Sequence, residues 1–194
     1  MDLFHQVKFI LRLTRSHDIV RRYFIVNGFD GALTMLGLIM GFLFSDTIEI
    51  TVILNACLGA AIALGMSGMS SAYVSESAER HRELGKLEEA MISDLHDSAH
   101  GEAARSVPWL IALVNGFAPL IISLLILIPL FISKSGIVLP VSPLYIAILI
   151  ALFLIFLLGV ILGRIADISW FRSGIQTLLV ASITALLIYL FTSM

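Results

Sequence analysis

Charge is what this chain has least of. Asp, Glu, Lys and Arg make up 13% of its 194 residues, about half the share of an average soluble domain. Set beside 59% hydrophobic residues, that scarcity excludes an ordinary soluble domain and reads as a membrane protein. Cysteine is almost absent: Cys57 stands alone, which excludes a disulfide within the chain and leaves core packing as its role. Catalytic signatures are missing as well. There is no His-Glu-x-x-His pair, no phosphate-cradling Gly-Lys loop and no Gly-x-Ser-x-Gly elbow, and no basic, aromatic surface suits nucleic acid. The chain therefore reads as neither an enzyme nor a nucleic-acid-binding protein.

What is present is length without charge. A helix needs about 20 apolar residues to cross a hydrocarbon core, and five stretches meet that requirement: 23–44, 49–74, 108–132, 143–163 and 173–192. Short segments alternating with period two, which a transmembrane barrel requires, do not occur. The expected fold is an all-α membrane protein with five transmembrane helices and a short acidic cytoplasmic helical insert between the second and third. Its parts, within one domain overall, are an interfacial amphipathic helix over 1–22, helices 1 and 2 over 23–75, the insert over 76–107, and helices 3 to 5 over 108–194. Lys8, Arg12 and Arg15 interrupt what a cleavable signal would need as an uncharged core. Leu3, Val7, Ile10 and Leu11 instead form a helical stripe suited to lying on lipid. Membrane anchoring is the plain role of that segment, with metal or partner binding through His5 or His17 as the alternative. Eleven of the 12 Lys and Arg fall on one side of this layout, with Lys134 opposite. The positive-inside rule then places the N-terminus and the insert in the cytoplasm and the C-terminus outside, in an integral multi-pass protein of the cell membrane if the source is prokaryotic.

The first two spans are rich in small residues. Gly37-Leu38-Ile39-Met40-Gly41 has the spacing that lets helix backbones approach, and Ala56, Gly59, Ala60, Ala61, Ala63, Gly65 and Gly68 thin the second span. No Gly or Pro interrupts the chain between Gly68 and Gly85, so the second helix is expected to continue out of the membrane. Glu76 to Arg105 holds eight acids against four bases, and Leu84, Leu87, Met91 and Leu95 recur at helical spacing there. Pro119 and Pro129 lie inside the third span, where neighbouring helices tolerate them. The fourth span is apolar all round and suits lipid contact. Val26-Asn27-Gly28-Phe29 recurs as Val114-Asn115-Gly116-Phe117, although four matching residues in an apolar chain are weak grounds for an internal duplication.

One residue needs a reason. Asp30 lies seven residues into the first span, where a carboxylate costs roughly 2.5–3.5 kcal/mol on insertion scales and so tends to face a bundle interior, a partner or an ion path. On the second helix Asn55, Gly59, Met66, Met69, Tyr73 and Glu76 fall along one side, with Glu83 nearby. That row joins thioethers, which suit softer transition metals, to a carboxylate that binds either metal or proton. Asp30, with Thr34 one turn away, would complete a site of mixed oxygen and sulfur donors. The plainer reading makes the methionines core filler and Glu76 a solvated boundary residue. In the insert, Glu89, His96, Asp97 and His100 can share a helical face that chelates a divalent ion, or form a solvated acidic surface.

Two stretches carry a resemblance. Phe29-Asp30-Gly31-Ala32-Leu33-Thr34-Met35-Leu36-Gly37-Leu38 resembles the first-helix motif of the vacuolar iron transporter family. Ala63-Leu64-Gly65-Met66-Ser67-Gly68-Met69-Ser70-Ser71-Ala72-Tyr73-Val74-Ser75 looks like that family's second helix. The resemblance implies a homodimer that exports Fe²⁺ from the cytoplasm in exchange for protons, with no tightly bound cofactor and the metal as transported substrate. It implies Asp30 as the intramembrane ligand, Met66 or Met69 as the thioether ligand, and cytoplasmic Glu residues of the insert, Glu79, Glu83, Glu88 and Glu89, as collectors of metal, to which the helical-face reading adds His96 and His100. The chain departs from the family pattern in three places. Phe29 stands where the family has Asn, Ala72 stands where it has Glu, so that Glu76 would have to substitute, and the insert is shorter. Ligand inventory leaves Fe²⁺, Mn²⁺, Co²⁺ and Zn²⁺ open. Two alternatives to an antiporter also stay open: a non-transporting membrane metal-sensing or interaction protein, and a channel.

Overall fold

The computed structural model describes residues 16–45 and 48–192. The amphipathic helix expected over 1–22 falls outside them as far as residue 15, and with it His5. All secondary structure among the described residues is helical, in five elements: α1 (Ser16–Leu43), α2 (Ile50–Met91), α3 (Ala99–Lys134), α4 (Pro143–Ile165) and α5 (Trp170–Thr192). Each is long and apolar enough to cross a membrane. The chain is an integral multi-pass membrane protein.

Helix lengths explain the layout. At 1.5 Å per residue, 23 residues of α4 or α5 span about 35 Å, enough for one crossing. The 42 residues of α2 and 36 of α3 span about 63 and 54 Å, so both run well beyond any bilayer core. The acidic stretch is thus carried on continuations of two spanning helices joined by a short loop.

That loop corrects one expectation. The stripe Leu84, Leu87, Met91, Leu95 does not stay on one helix, because α2 stops at Met91 and Ile92 turns left-handed (φ 51°, ψ 41°). Side chains compete with the helix here. Glu88 Oε1 accepts from the Leu95 N–H at 3.0 Å, and Asp94 Oδ1 accepts from the His96 N–H at 2.9 Å, the local bonding that makes such residues helix breakers. Ser98 then caps α3 by accepting from the backbone N–H groups of His100 and Gly101, as an N-cap serine does. Gly101 has no alternative, since a Cβ there would overlap the carbonyls of Leu95 and His96. Leu95 is buried all the same, against Leu84 and Ala104.

α3 is the central helix. Its face of Ile122, Ile126, Leu127 and Leu130 meets Met35, Leu36 and Ile39 of α1, Leu54 and Cys57 of α2, and Ala147, Ala151 and Ile155 of α4 in one cluster. The fourth span leaves Leu149, Phe153 and Leu157 outward, as lipid contact requires, but it also buries Ala147, Ala151, Ile155, Leu158, Gly159 and Gly163, while α5 buries only Ser173, Gly174 and Ala181. Small residues at i and i+4 spacing give α4 a packing face that its mean composition hides. Close approach recurs through glycine elsewhere. A Cβ on Gly31 would lie 2.7 Å from the backbone of Pro119, and Gly65 and Gly116 face each other's carbonyls across α2 and α3.

Gly31→Ala should therefore destabilise the bundle by about 1–3 kcal/mol, the range for overpacking a tight contact. Gly85→Ala, in a helix with open space around it, should be neutral or stabilising by up to about 1 kcal/mol. Cys57 is fully buried and alone, so its labelling by a thiol-reactive dye during heating reads both. Equal labelling midpoints for wild type and Gly31→Ala would refute the contact.

Candidate metal pathway

Asp30 sits mid-way along α1 with no hydrogen bond or ion pair among the described residues. It is exposed at the edge of an apolar crevice of about 140 Å³ formed by Ile25, Val26 and Phe29 of α1, Leu158, Gly159 and Leu162 of α4, and Thr177 of α5. No residue of α2 lines this crevice. Among the described residues no basic side chain neutralises the carboxylate there.

Towards the polar end, α1 is tied to its neighbours by a chain of polar contacts. The Tyr23 hydroxyl donates to Glu76 Oε1 of α2 at 3.1 Å. Asn27 Nδ2 donates to the Tyr23 carbonyl at 2.9 Å and to Asn115 Oδ1 of α3. Asn115 Nδ2 donates to the Gly68 carbonyl of α2 at 2.6 Å. Both asparagines of the repeated Val-Asn-Gly-Phe motif thus meet. Gly68 permits this, because a Cβ there would crowd the Asn115 carbonyl and amide at 3.1 and 3.3 Å. Pro119 contributes too: lacking an N–H, it leaves the Asn115 backbone carbonyl without its helical donor, and this oxygen faces Gly68.

The asparagine contacts mark a common depth. From them Asp30 lies three residues further in along α1, about 4.5 Å, and Met66 two residues further in along antiparallel α2, about 3 Å. The two potential ligands lie at similar depth on different helices. Of the methionine pair, Met66 is 56% exposed, whereas Met69 packs against Gly116 and the cluster of Ala72, Val107 and Ile111. Tyr73 stacks on Trp109 with ring centroids 4.5 Å apart, so it is largely a packing residue. Asn55 is exposed and Thr34 half-buried.

Glu76 is not a free carboxylate. Besides Tyr23 it faces Arg80 Nε at 3.8 Å, and Arg80 also donates to Glu83 at 3.0 Å. Glu79 is exposed. The helical face proposed for Glu89, His96, Asp97 and His100 does not exist, because the break after Met91 puts Glu89 on α2, His96 and Asp97 in the loop and His100 on α3. Glu88, Asp94 and His96 converge in its place, with one ligand atom from each within 4.8 Å of the others. Asp94, Tyr23, Arg80 and the two asparagines escaped the sequence reading as site residues. An amide in an apolar span is the same kind of signal as Asp30, and Asn27 and Asn115 were visible by it.

A profile of the VIT family matches residues 82–193, from the polar part of α2 to the end of α5. The chain belongs to the VIT family. It is also 30% identical over 172 residues to the uncharacterized protein MJ0645 of Methanocaldococcus jannaschii, covering 87% of this chain and 86% of that one. Membership in a family of vacuolar iron transporters makes this VIT-family chain a membrane metal-ion transporter and not an enzyme.

The loop geometry separates neighbouring carboxylates. Asp94→Asn should weaken binding of Mn²⁺ to the detergent-solubilised full chain by about tenfold or more, as loss of a ligand does at least as much as loss of its support. Glu89→Gln should change it little. Isothermal titration checks both, and equal losses would remove the Glu88, Asp94 and His96 grouping.

Proposed function

We propose that this chain works as a homodimer that moves Fe²⁺, or Mn²⁺, out of the cytoplasm in exchange for protons. The observation that carries the reading is Asp30: a carboxylate halfway along a spanning helix, unpaired and exposed, at a depth where exposure to lipid costs roughly 2.5–3.5 kcal/mol. A cation, a proton and a protein partner are the three things that relieve this cost. The exposed side of α2, with Val52, Asn55, Gly59, Ile62, Met66 and Ser70, is slender enough for another helix to approach closely. A second copy seated there supplies the cover and brings the Met66 thioether into a pathway shared with Asp30.

The charge distribution supports the orientation. Eleven of the 12 basic residues fall on the loop side, which favours a cytoplasmic Glu76 to Arg105. Glu88, Asp94 and His96 would take up the ion, Glu76 and Glu83 would pass it inward as it displaces Arg80, and Asp30 with Met66 would hold it at membrane depth. Divalent metal and proton exclude each other on one carboxylate. Proton arrival at Asp30 therefore releases the metal, and metal arrival releases the proton. The thioether favours Fe²⁺ over the hard ions Mg²⁺ and Ca²⁺. The convergence of Glu88, Asp94 and His96 also suits a second reading, a membrane metal sensor that binds without transporting.

Proteoliposomes holding an internal pH dye separate these readings. Wild type should show metal-driven proton movement, with the apparent KM for metal rising as pH falls, by up to about tenfold per unit for one competing proton. Asp30→Asn should bring the flux to background. Undiminished flux in that variant would refute the pathway, and loop binding without flux in wild type would favour the sensor.

A further inference from the structure

The asparagine contacts do more than hold helices together. Both Nδ2 hydrogens of Asn27 are committed, one to the Tyr23 carbonyl and one to Asn115 Oδ1. The orientation of each amide is dictated by chemistry, since Gly68 and Tyr23 present carbonyl oxygens that can only accept. The atom of Asn115 facing Gly68 must be its nitrogen, so its oxygen faces Asn27, and the atom of Asn27 that meets both Asn115 and Tyr23 must be nitrogen. Asn27 Oδ1 is what remains. It has no hydrogen bond among the described residues, its residue is half-buried, and it follows Asp30 by one helical turn towards the polar end, within about 60° around α1.

We propose that Asn27 Oδ1 is a neutral oxygen ligand on the ion path, one turn before Asp30, held in place by the bond from Asn27 Nδ2 to the Tyr23 carbonyl, while the Asn115 and Gly68 contacts join the helices. The inference rests on the metal-transport reading above and adds to it a residue and a selectivity. A carbonyl oxygen whose amide hydrogens are both donated outward carries increased negative character. It accepts a divalent cation in place of a lost hydration water without adding a charge that would trap the ion. Such an oxygen favours harder ions such as Mn²⁺ over soft Cd²⁺, which relies more on the Met66 sulfur. The chain then balances an amide oxygen, a carboxylate and a thioether along a few ångströms of path, and an intermediate ion such as Fe²⁺ is served by all three.

The test is the Mn²⁺ to Cd²⁺ uptake ratio in proteoliposomes of the full chain. Asn27→Leu should raise the KM for Mn²⁺ by about tenfold or more and leave that for Cd²⁺ within about threefold. Asn115→Leu breaks the same interhelical contact but leaves Asn27 bonded to the Tyr23 carbonyl with its oxygen in place. It should lower the unfolding temperature read at Cys57 and keep the uptake ratio within about twofold of wild type. Asn27→Ala, which adds no bulk, carries the same prediction should Asn27→Leu not be recovered folded. An unchanged ratio in the Asn27 variants, or an equal shift in Asn115→Leu, overturns the assignment while Asp30→Asn still abolishes flux. Full flux in Asp30→Asn overturns the transport reading and this inference together.

Discussion

Inside a bilayer no water is available to a polar group, so each one must be answered by the protein or by what the protein carries. Most of the arrangement around α1, α2 and α3 follows from how this chain meets that demand. Asn27 and Asn115 answer each other and the carbonyls of Tyr23 and Gly68. Gly31 and Gly116 leave no room for a Cβ against the backbones of Pro119 and Gly65, and at Gly68 a Cβ would crowd Asn115. Asp30, the one carboxylate midway along a described span, is left without a hydrogen bond or ion pair among the described residues, as are the Asn27 Oδ1 beside it and the buried Ser123 hydroxyl of α3.

The same demand is relaxed at the other end of the long helices. Beyond Glu76 most of the acids and bases are exposed, with Arg80 and Glu88 half-buried, and local hydrogen bonds are free to interrupt the helix. The Glu88 and Asp94 side chains bond the loop that follows α2, and Ser98 starts α3. One pair of helices thereby carries a slender apolar half for packing and a charged half beyond it, with Glu76, Tyr23 and Arg80 at the junction.

Much of this was legible in the residues. Hydropathy and length located all five spans, because a 20-residue apolar run has few other uses, and the intramembrane carboxylate singled out Asp30. The Asp-Gly and Tyr-Val-Ser motifs led to the family that the profile shows. What escaped is non-local or hinges on competition between weak preferences. Tyr23 meets Glu76 across 53 residues and Asn27 meets Asn115 across 88, separations that no local pattern encodes. The break at Ile92 has neither Gly nor Pro to announce it, and the stripe through Leu95 continues past it as though the helix did not end. The crevice beside Asp30 draws on α4 and α5, whose packing faces are defined by a few Ala and Gly among Leu and Ile.

The length of α2 has a mechanical side. Some 15 residues beyond Glu76, its last turn lies about 22 Å from the junction with α1. A rigid rod pivoting there by about 10° sweeps its tip through about 4 Å. Because Glu88, Asp94 and His96 all ride on that tip and the loop bonded to it, a small tilt of the intramembrane half carries the three together and shifts where they stand, not how far apart they are.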